Sequence, residues 1–396
     1  MKTFSCRCKE KQILFFESNF CVSCARDVGL DDEFDTVEPY DLDEESGEYF
    51  KSADPSIRYQ KCANNENYKV CNGMVNLSTF GPVADNEEAL CFACRFNETI
   101  PDLSIVEHIP LWNKMEIAKR RALYTLKALS LPLANIAQNP EGGLSFDFTT
   151  DRDVNDNFVS QLTGQDAVFT GHDCGHITIN LAEADDVARS KTKQAMGEHY
   201  RTLLGHFRHE LGHYYFDVLI AGSPKKHALC KKYFGDDELD YQEALKKHYK
   251  NGAPENWRDN FISEYATMHP YEDWAETWAH YMHIMDTLET AKNFSITGSI
   301  TGNTQAMEEV GELNLPQDGH FFSAQTSIDS ILDTWMDFAV ILNSLNRSMG
   351  MNDAYPFVLT QPVRTKLSFI HHAIHDRLNR LPELLVETKA VKPDTP

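Results

Sequence analysis

The stretch GHFRHELGHYYFDVLIA, residues 205–221, contains the pattern that decides the fold, and it ends a longer run that begins at residue 197. His209 and His213 lie four positions apart, so on an α-helix they share one face. Glu210 follows the first histidine directly. This pattern predicts a zinc site in which both imidazoles bind the metal, water takes an open position, and the glutamate acts as general base.

The residues around the motif distinguish this interpretation from an ordinary helix with surface histidines. No proline interrupts residues 197–221, and Gly205 and Gly212 leave room for close packing. Apolar side chains recur at helical spacing on both sides of the motif, namely Leu203, Leu204, Phe207, Leu211, Tyr214, Tyr215 and Val218. The whole run is therefore predicted to be one buried amphipathic helix.

A carboxylate is the expected third ligand, because no histidine follows at the spacing H-x-x-G-x-x-H. The segment MHPYEDWAETWAHYMHIMDTLETA, residues 268–291, predicts a long helix that begins at Pro270. Glu272 and Glu276 lie one turn apart on one face of this helix. As in glutamate-type zincins, Glu272 is expected to bind zinc and Glu276 to orient one of the two ligand histidines, although the reverse assignment stays open.

Three further polar residues lie on the same predicted helix. His280 and His283 could replace a glutamate as ligand, but a helix this rich in aromatic residues is more typical of a protein core. Asp273 points to a different face from Glu272 and is expected to be solvated or to cap the helix. The sequence does not select the residue that would stabilise an oxyanion; the available side chains are Tyr214, Tyr281, His280 and His172.

Eight of the ten cysteines lie before residue 95, in two sets with metal-site spacing. The first set is Cys6, Cys8, Cys21 and Cys24, and the second is Cys62, Cys71, Cys91 and Cys94. Four thiolates close a tetrahedral zinc site, so each set is predicted to hold one structural zinc ion, the first in a zinc ribbon. Disulfides are the alternative, and pairing of cysteines between the two sets stays open. Cys174 and Cys230 are expected to be lone thiols.

These patterns predict an α+β fold, with a mainly helical, zincin-like catalytic domain that contains a small sheet and follows a cysteine-rich zinc-ribbon region. Residues 1–30 are expected to form the ribbon, residues 31–60 an acidic linker or exposed loop, and residues 61–100 a second cysteine-rich, zinc-binding segment. Residues 101–387 are expected to form the zincin-like domain, and residues 388–396 a tail.

Hydrophobic patterns predict the main elements of the catalytic domain. Helices are expected at residues 112–130, 328–349 and 363–381. Apolar alternation between residues 142 and 182 predicts strands in GGLSFDFTT, DAVFTG and HITINLA, which together would form the small sheet.

The strand at residues 175–180 is expected at an edge of this sheet, where an extended peptide could add through main-chain hydrogen bonds; an internal core strand is the alternative. His172, Cys174 and His176 occupy alternating positions near this strand and share one face of it. Such a trio is expected to consist of satisfied polar or rim residues rather than to form a further metal site.

The motifs together resemble the bacterial zinc-binding metallopeptidase family that carries an N-terminal zinc ribbon. The resemblance rests on the ribbon and on CRFNETIPDL, TGHDCGHITINLAEADD, FRHELGHYYFDVL, HPYEDWAETWAHYMHIMDTLETA and LNRSMGMNDAYPFVL, which are spread over nearly the whole chain. It implies a cytoplasmic glutamate-type zincin in which His209, His213 and a glutamate of EDWAE bind zinc and Glu210 is catalytic. It implies little about the substrate.

The charge of the chain argues against nucleic acid as a partner. With 37 basic and 60 acidic side chains, the net charge of −23 would repel phosphate backbones. The expected partner is a peptide or protein substrate, and no signal peptide or membrane-spanning stretch is expected. Two alternatives stay open: an amidase or deconjugating enzyme that acts on isopeptide or non-peptide amides, and a zinc-ribbon adaptor with a non-catalytic metal helix.

Overall fold

The computed structural model describes residues 2–31, 33, 36–80, 88–150, 171–189, 202–296 and 326–378. The chain forms two compact units, Met1–Glu210 and Leu211–Pro396, and the division falls inside the helix that carries the His-Glu-x-x-His pattern. Helices and small sheets are both present, so the fold class is α+β as predicted.

The first unit begins with a two-stranded hairpin of strands β1 (Phe4–Ser5) and β2 (Ile13–Leu14), which pair antiparallel. The Cys6 N–H donates to the carbonyl of Gln12 at 2.8 Å and closes the loop between the strands. This loop carries Cys6 and Cys8, the first two cysteines of the ribbon.

A five-stranded antiparallel sheet follows the ribbon. Its strands, in order across the sheet, are β3 (Asp27–Leu30), β4 (Val37–Leu42), β5 (Tyr49–Lys51), β6 (Asp54–Lys61) and β7 (Met74–Asn76). Two short helices, α1 (Ala63–Tyr68) and α2 (Leu77–Phe80), flank the last strand. The prediction of a linker or exposed loop at residues 31–60 was therefore wrong, since most of this segment is sheet.

Acidic residues of this segment fit into the sheet because they pair with a cation. In β4 the carboxylate of Glu38 lies 3.1 Å from Lys51 Nζ. Lys51 also lies over the rings of Tyr40 and Tyr59, which form a small core with Met74. Charge pairing and this core, rather than the mean polarity of the segment, account for the sheet.

The sheet of the predicted catalytic region has four strands, β8 (Asn97–Thr99), β9 (Ser145–Thr149), β10 (Gly171–Asp173) and β11 (His176–Asn180), in the order β10-β11-β9-β8. Strand β9 pairs parallel with β8 and with β11, whereas β10 pairs antiparallel with β11. Helix α3 (His108–Ala128) lies between β8 and β9 in the chain, close to its predicted position. Apart from Gly171, the predicted strand DAVFTG lies outside the described residues.

The prediction that residues 175–180 form an edge strand was wrong, because β11 has a partner on each side. Ile177 lies opposite His172 of β10 and opposite Phe146 of β9. Both Ile177 and Ile179 are fully buried. In the part of the chain that the structure describes, β10 is the strand that ends the sheet on this side.

A buried polar cluster joins the second cysteine-rich segment to helix α3. Lys119 and Glu116 form an ion pair at 2.9 Å, and both side chains are fully buried. Asn97, which begins β8 three residues after Cys94, donates to Glu116 at 2.8 Å. Because a buried charge without a partner costs several kcal/mol, this cluster fixes the cysteine segment and β8 against α3.

Helix α4 (Leu203–Phe216) crosses the division and continues as a π-helical turn at Asp217–Ala221. Residues 197–201 of the predicted helix lie outside the described part of the chain. The described residues of the second unit form five more α-helices, namely α5 (Pro224–Phe234), α6 (Tyr241–Asn251), α7 (Pro270–Asn293), α8 (Ile328–Ser348) and α9 (Gln361–Ile374). Helix α9 packs against α5, α7 and α8. None of the described helices is long and apolar enough to cross a membrane.

Helices α4 and α7 approach each other closely at Gly212. A Cβ at this position would lie 2.9 Å from the Ala275 Cα and 3.2 Å from the Trp278 Cβ. The indole N–H of Trp274 donates to the Gly212 carbonyl at 2.8 Å, and Tyr215 stacks on Trp278 with ring centroids 5.0 Å apart. The missing side chain at Gly212 therefore sets the distance between the two helices.

Gly212→Ala is expected to destabilise the protein, although alanine is the better helix former by about 1 kcal/mol. The added methyl group presses on the backbone of α7, and overpacking of this kind costs about 1–3 kcal/mol. Gly222→Ala is the matched control, because nothing lies within 4 Å of a Cβ at that position. Thermal unfolding of the zinc-loaded variants measures the difference. A Gly212→Ala protein as stable as the control would contradict the close contact.

Candidate active site

Helix α4 carries the predicted metal motif on a buried face. Thr202 caps its first turn, since the Thr202 Oγ1 accepts a hydrogen bond from the Gly205 N–H at 2.9 Å. The three motif residues His209, Glu210 and His213 are 9%, 5% and 5% exposed. Buried imidazoles and carboxylates need polar partners, so the motif does not lie on an ordinary helix surface.

Helix α7 brings a carboxylate to one of these histidines. His269 caps the helix, with its Nδ1 accepting from the Tyr271 N–H at 3.1 Å, and Pro270 takes the first helical position. Glu272 lies in the first turn and is 2% exposed. Its Oε2 lies 3.5 Å from His213 Nε2.

Three side chains offer donor atoms to one point. His209, His213 and Glu272 each supply one ligand atom, and these atoms lie within 4.8 Å of one another. Neighbouring ligand atoms of a tetrahedral zinc with bonds of about 2.1 Å lie about 3.4 Å apart. The 3.5 Å between His213 Nε2 and Glu272 Oε2 therefore fits one shared ion. Two imidazoles and one carboxylate also match the donor set of known catalytic zinc sites.

Tyr241 and Tyr271 support this arrangement, and the sequence analysis identified neither. The Tyr241 hydroxyl, at the start of α6, donates to Glu272 Oε1 at 2.9 Å. The ring of Tyr271 lies against His213, with ring centroids 4.1 Å apart. A hydrogen bond to the second oxygen of a ligand carboxylate fixes its orientation. Tyr241 lies 31 residues before Glu272, and no local spacing connects the two.

Glu276 and Asp273 have other partners on α7. Glu276 accepts a hydrogen bond from Ser263 Oγ at 2.6 Å and is not one of the three converging residues, so its orienting role stays a prediction. Asp273 is fully buried and lies 2.5 Å from Lys366 Nζ, so the expectation that it is solvated was wrong. Burial raises the pKa of Asp273 to about 7, although the nearby Lys366 ammonium opposes this shift.

The histidines further along α7 are part of the core. His280 is 4% exposed, and its Nδ1 lies 2.9 Å from the hydroxyl of Tyr355. Burial lowers the pKa of His280 to about 4, so the ring is neutral at neutral pH. The hydroxyl of Tyr281 is likewise engaged, 2.9 Å from His371 Nδ1. His280 and Tyr281 therefore have packing partners of their own in the second unit.

The first cysteine set closes around one point in the ribbon. The sulfur atoms of Cys6 and Cys24 lie 3.7 Å apart, and those of Cys8 and Cys21 lie 4.0 Å apart. A tetrahedral site with zinc–sulfur bonds of about 2.3 Å has edges of about 3.8 Å. Hydrogen bonding from the backbone of Gln12 lowers the pKa of Cys8 to about 7, which favours the thiolate that a metal requires.

The second cysteine set forms a separate, fully buried group. The sulfur atoms of Cys62, Cys71, Cys91 and Cys94 lie within 4.8 Å of one another. The Cys91 N–H donates to Cys62 Sγ at 3.3 Å, and a Cβ at Gly73 would collide with the side chain of Cys91. Hydrogen bonds with the neighbouring cysteines, together with burial, raise the pKa of the Cys71 thiol. Four thiolates can exist here only with a cation that offsets their charge.

His172, Cys174 and His176 do not appear among the metal-donor groups of the described residues. His172 Nε2 accepts from the Gly175 N–H at 3.0 Å, and His176 Nδ1 lies 3.0 Å from Ser145 Oγ. Both imidazoles therefore have local partners at the β10–β11 turn.

Comparison with known proteins assigns the chain to a family. A family model described as "Putative zinc-binding metallo-peptidase" matches residues 108–373, and a zinc-ribbon domain model matches residues 3–105. The chain belongs to this zinc-binding metallopeptidase family. Similar proteins include uncharacterised proteins of Mycobacterium bovis and of two strains of Mycobacterium tuberculosis, each 36% identical over 378 residues, which cover 95% of this chain and 96% of theirs. No solved structure matches the chain.

The matched ranges agree with the positions of the donor groups. Both cysteine sets fall within the zinc-ribbon match, and His209, His213 and Glu272 fall within the metallopeptidase match. The family that the motifs resemble is thereby confirmed, and zinc is the metal that both family descriptions name.

Tyr241→Phe is expected to weaken zinc binding at His209, His213 and Glu272 by about 10- to 100-fold, because the free carboxylate oxygen loses its orienting hydrogen bond. The cysteine sets should keep their metal. Tyr249→Phe, on the same helix with a ring that is 58% exposed, is the matched control. Competition with a chelator, followed by metal analysis, measures the affinity. An unchanged affinity would mean that Tyr241 does not orient Glu272.

Proposed function

We propose that this protein is a zinc-dependent peptidase that hydrolyses peptide amide bonds with Glu210 as general base. One observation carries the proposal: buried His209, His213 and Glu272 converge on one point, with Glu210 on the same helix as both histidines. Three protein ligands leave the fourth position of a tetrahedral zinc open, which is typical of catalytic sites, whereas structural sites are closed by four.

The side chains of the site have separate roles in the proposed reaction. Bound zinc supplies a Lewis acid that activates water and polarises the substrate carbonyl. Glu210 accepts the proton of the attacking water and passes it to the amine nitrogen as the carbon–nitrogen bond breaks. His209 and His213 hold the metal from one face of α4, and Glu272 holds it from α7. Burial of these groups strengthens their electrostatic interactions by excluding bulk water.

An extended peptide is the proposed form of the substrate. Strand β10 (Gly171–Asp173) ends the sheet in the described part of the chain and runs antiparallel to β11. An exposed strand of this kind can bind an extended peptide through main-chain hydrogen bonds. The peptide-binding strand is therefore β10 rather than residues 175–180, because β11 is paired on both sides.

The proposed partners follow from the charge of the chain. Its net charge of −23 favours peptide or protein substrates with basic stretches over nucleic acid.

The proposed location is the cytoplasm. Two four-thiol sites that bind zinc suit its reducing environment, where cysteines are kept from forming disulfides.

The proposal includes three zinc ions per chain, one catalytic and two structural, one for each donor group of the described residues. His213→Ala is expected to remove one ion and leave the two in the cysteine sets, since the groups share no ligand. His227→Ala, which removes an imidazole paired with Asp237 at 2.8 Å, is the matched control and should keep all three. Mass spectrometry of the native proteins counts the metal. An equal count in both variants would contradict the catalytic site.

Glu210→Gln is expected to keep the fold and the full zinc content but to lower hydrolysis by at least about 100-fold, because an amide cannot accept the proton. Cleavage of a broad peptide library, with zinc counted in parallel, measures both properties. A variant that cleaves as fast as the parent would exclude Glu210 as the base. Cleavage of isopeptide-linked substrates alone would favour the deconjugating alternative, and no cleavage by either protein would favour the adaptor.

A further inference from the structure

His206, which lies one helical turn before Glu210 on α4, faces two buried carboxylates. Its Nε2 lies 3.3 Å from Glu210 Oε1, and its Nδ1 lies 3.6 Å from Glu183 Oε2. The side chains of Glu183 and Glu210 are 2% and 6% exposed, and that of His206 is 13% exposed. Each ring nitrogen of one imidazole is thus directed at a different carboxylate.

The turn that carries Glu183 is held in place by several hydrogen bonds. It is a 3₁₀ turn, Leu181–Ala184, that follows β11 directly, and the Asn180 side chain caps it through a 2.9 Å hydrogen bond. Arg189 donates to the Glu183 carbonyl at 2.6 Å, and Lys114 donates to the last carbonyl of the turn at 3.1 Å. Glu183 therefore offers its carboxylate to His206 from a fixed position.

Burial explains why the imidazole matters for the orientation of Glu210. A glutamate side chain has several rotatable bonds, and it keeps one orientation only where contacts restrict it. A buried carboxylate also needs a polar partner. His206 meets both requirements, because residues four apart on a helix are neighbours and Glu183 lies on the other side of the ring, 3.6 Å from Nδ1.

We propose that His206, anchored by Glu183, is a positioning residue that holds the Glu210 carboxylate in the orientation needed for proton transfer. The proposal rests on the proposed function of Glu210 as general base. It assigns His206 a role through Glu210 and no direct contact with the substrate. Removal of a group that orients a side chain of a metal site typically lowers activity about 10- to 100-fold.

Kinetics of zinc-loaded His206→Ala test the proposal first. The kcat should fall about 10- to 100-fold while the KM and the zinc content stay close to those of the parent. His206→Gln should recover much of the kcat, because its amide can donate to a carboxylate. His108→Ala, which removes another buried histidine of the first unit, controls for loss of packing. An unchanged kcat, or a loss of zinc that accounts for the whole decrease, would overturn the proposal.

Binding of acetohydroxamic acid separates failure of this proposal from failure of the proposed function, because it needs no peptide hydrolysis. The acid gives up a proton when it binds zinc, and Glu210 is the expected acceptor. Introduced into the parent protein, His206→Ala should weaken acetohydroxamic acid binding by about 10-fold. Introduced into the Glu210→Gln variant, the same substitution should weaken binding by much less. Equal weakening in both backgrounds would show that His206 does not act through Glu210.

Crystal structures of the zinc-loaded parent and His206→Ala decide the question even if acetohydroxamic acid does not bind. The proposal predicts that the Glu210 carboxylate is displaced or disordered in the variant, while His209 and His213 keep their positions. A Glu210 side chain that is equally ordered and unmoved would overturn the proposal. His206→Gln takes the place of His206→Ala in both experiments if the alanine variant does not fold.

Discussion

The close packing of helices α4 and α7 at Gly212 is the constraint on which the candidate active site depends. His213 follows Gly212 directly, and Glu272 lies two positions before Trp274, whose indole donates to the Gly212 carbonyl. The contact that excludes a side chain at Gly212 thus also places the Glu272 carboxylate 3.5 Å from His213. Side chains carried on packed helices are held more precisely than side chains on loops, so the backbone contact sets the positions of the donor atoms.

Ionisation of cysteines is opposed in both sets, so a metal ion must offset the charge of four thiolates. In the ribbon, burial raises the pKa of Cys6, whereas hydrogen bonds from the backbone lower the pKa of Cys8. In the second set, hydrogen bonds with neighbouring cysteines and burial raise the pKa of Cys71. The second set leads directly into β8 and the buried pair of Glu116 and Lys119. A metal ion bound by this set would therefore support the four-stranded sheet as well as the cysteine segment.

The sequence predicted those parts of the site that depend on short spacings. His209 and His213 are four positions apart and therefore share one helix face, and cysteine pairs such as Cys91 and Cys94 have metal-site spacing, because both geometries are local. Pro270 and the periodic run after it likewise predicted α7 and the position of Glu272. The histidine pair and the start of α7 depend only on residues within one or two helical turns.

The predictions that failed depend on contacts between distant parts of the chain. Asp273 is buried because Lys366, 93 residues later, pairs with it, and Tyr241 reaches Glu272 from a separate helix. Mean acidity suggested a linker at residues 31–60, but paired strands form a sheet there, in which Glu38 pairs with Lys51. Whether β11 lies inside or at the edge of its sheet depends on β10, which its own apolar pattern does not reveal.

Anomalous diffraction at the zinc absorption edge, from crystals of the full chain prepared without chelators, shows directly whether His209, His213 and Glu272 bind zinc. The peaks in the two cysteine sets serve as internal references. A catalytic zinc ion should give a further peak about 2.0–2.2 Å from one nitrogen each of His209 and His213 and from a carboxylate oxygen of Glu272. Peaks in the cysteine sets without one at these three residues, or a peak bound by other ligands in place of Glu272, would contradict this assignment.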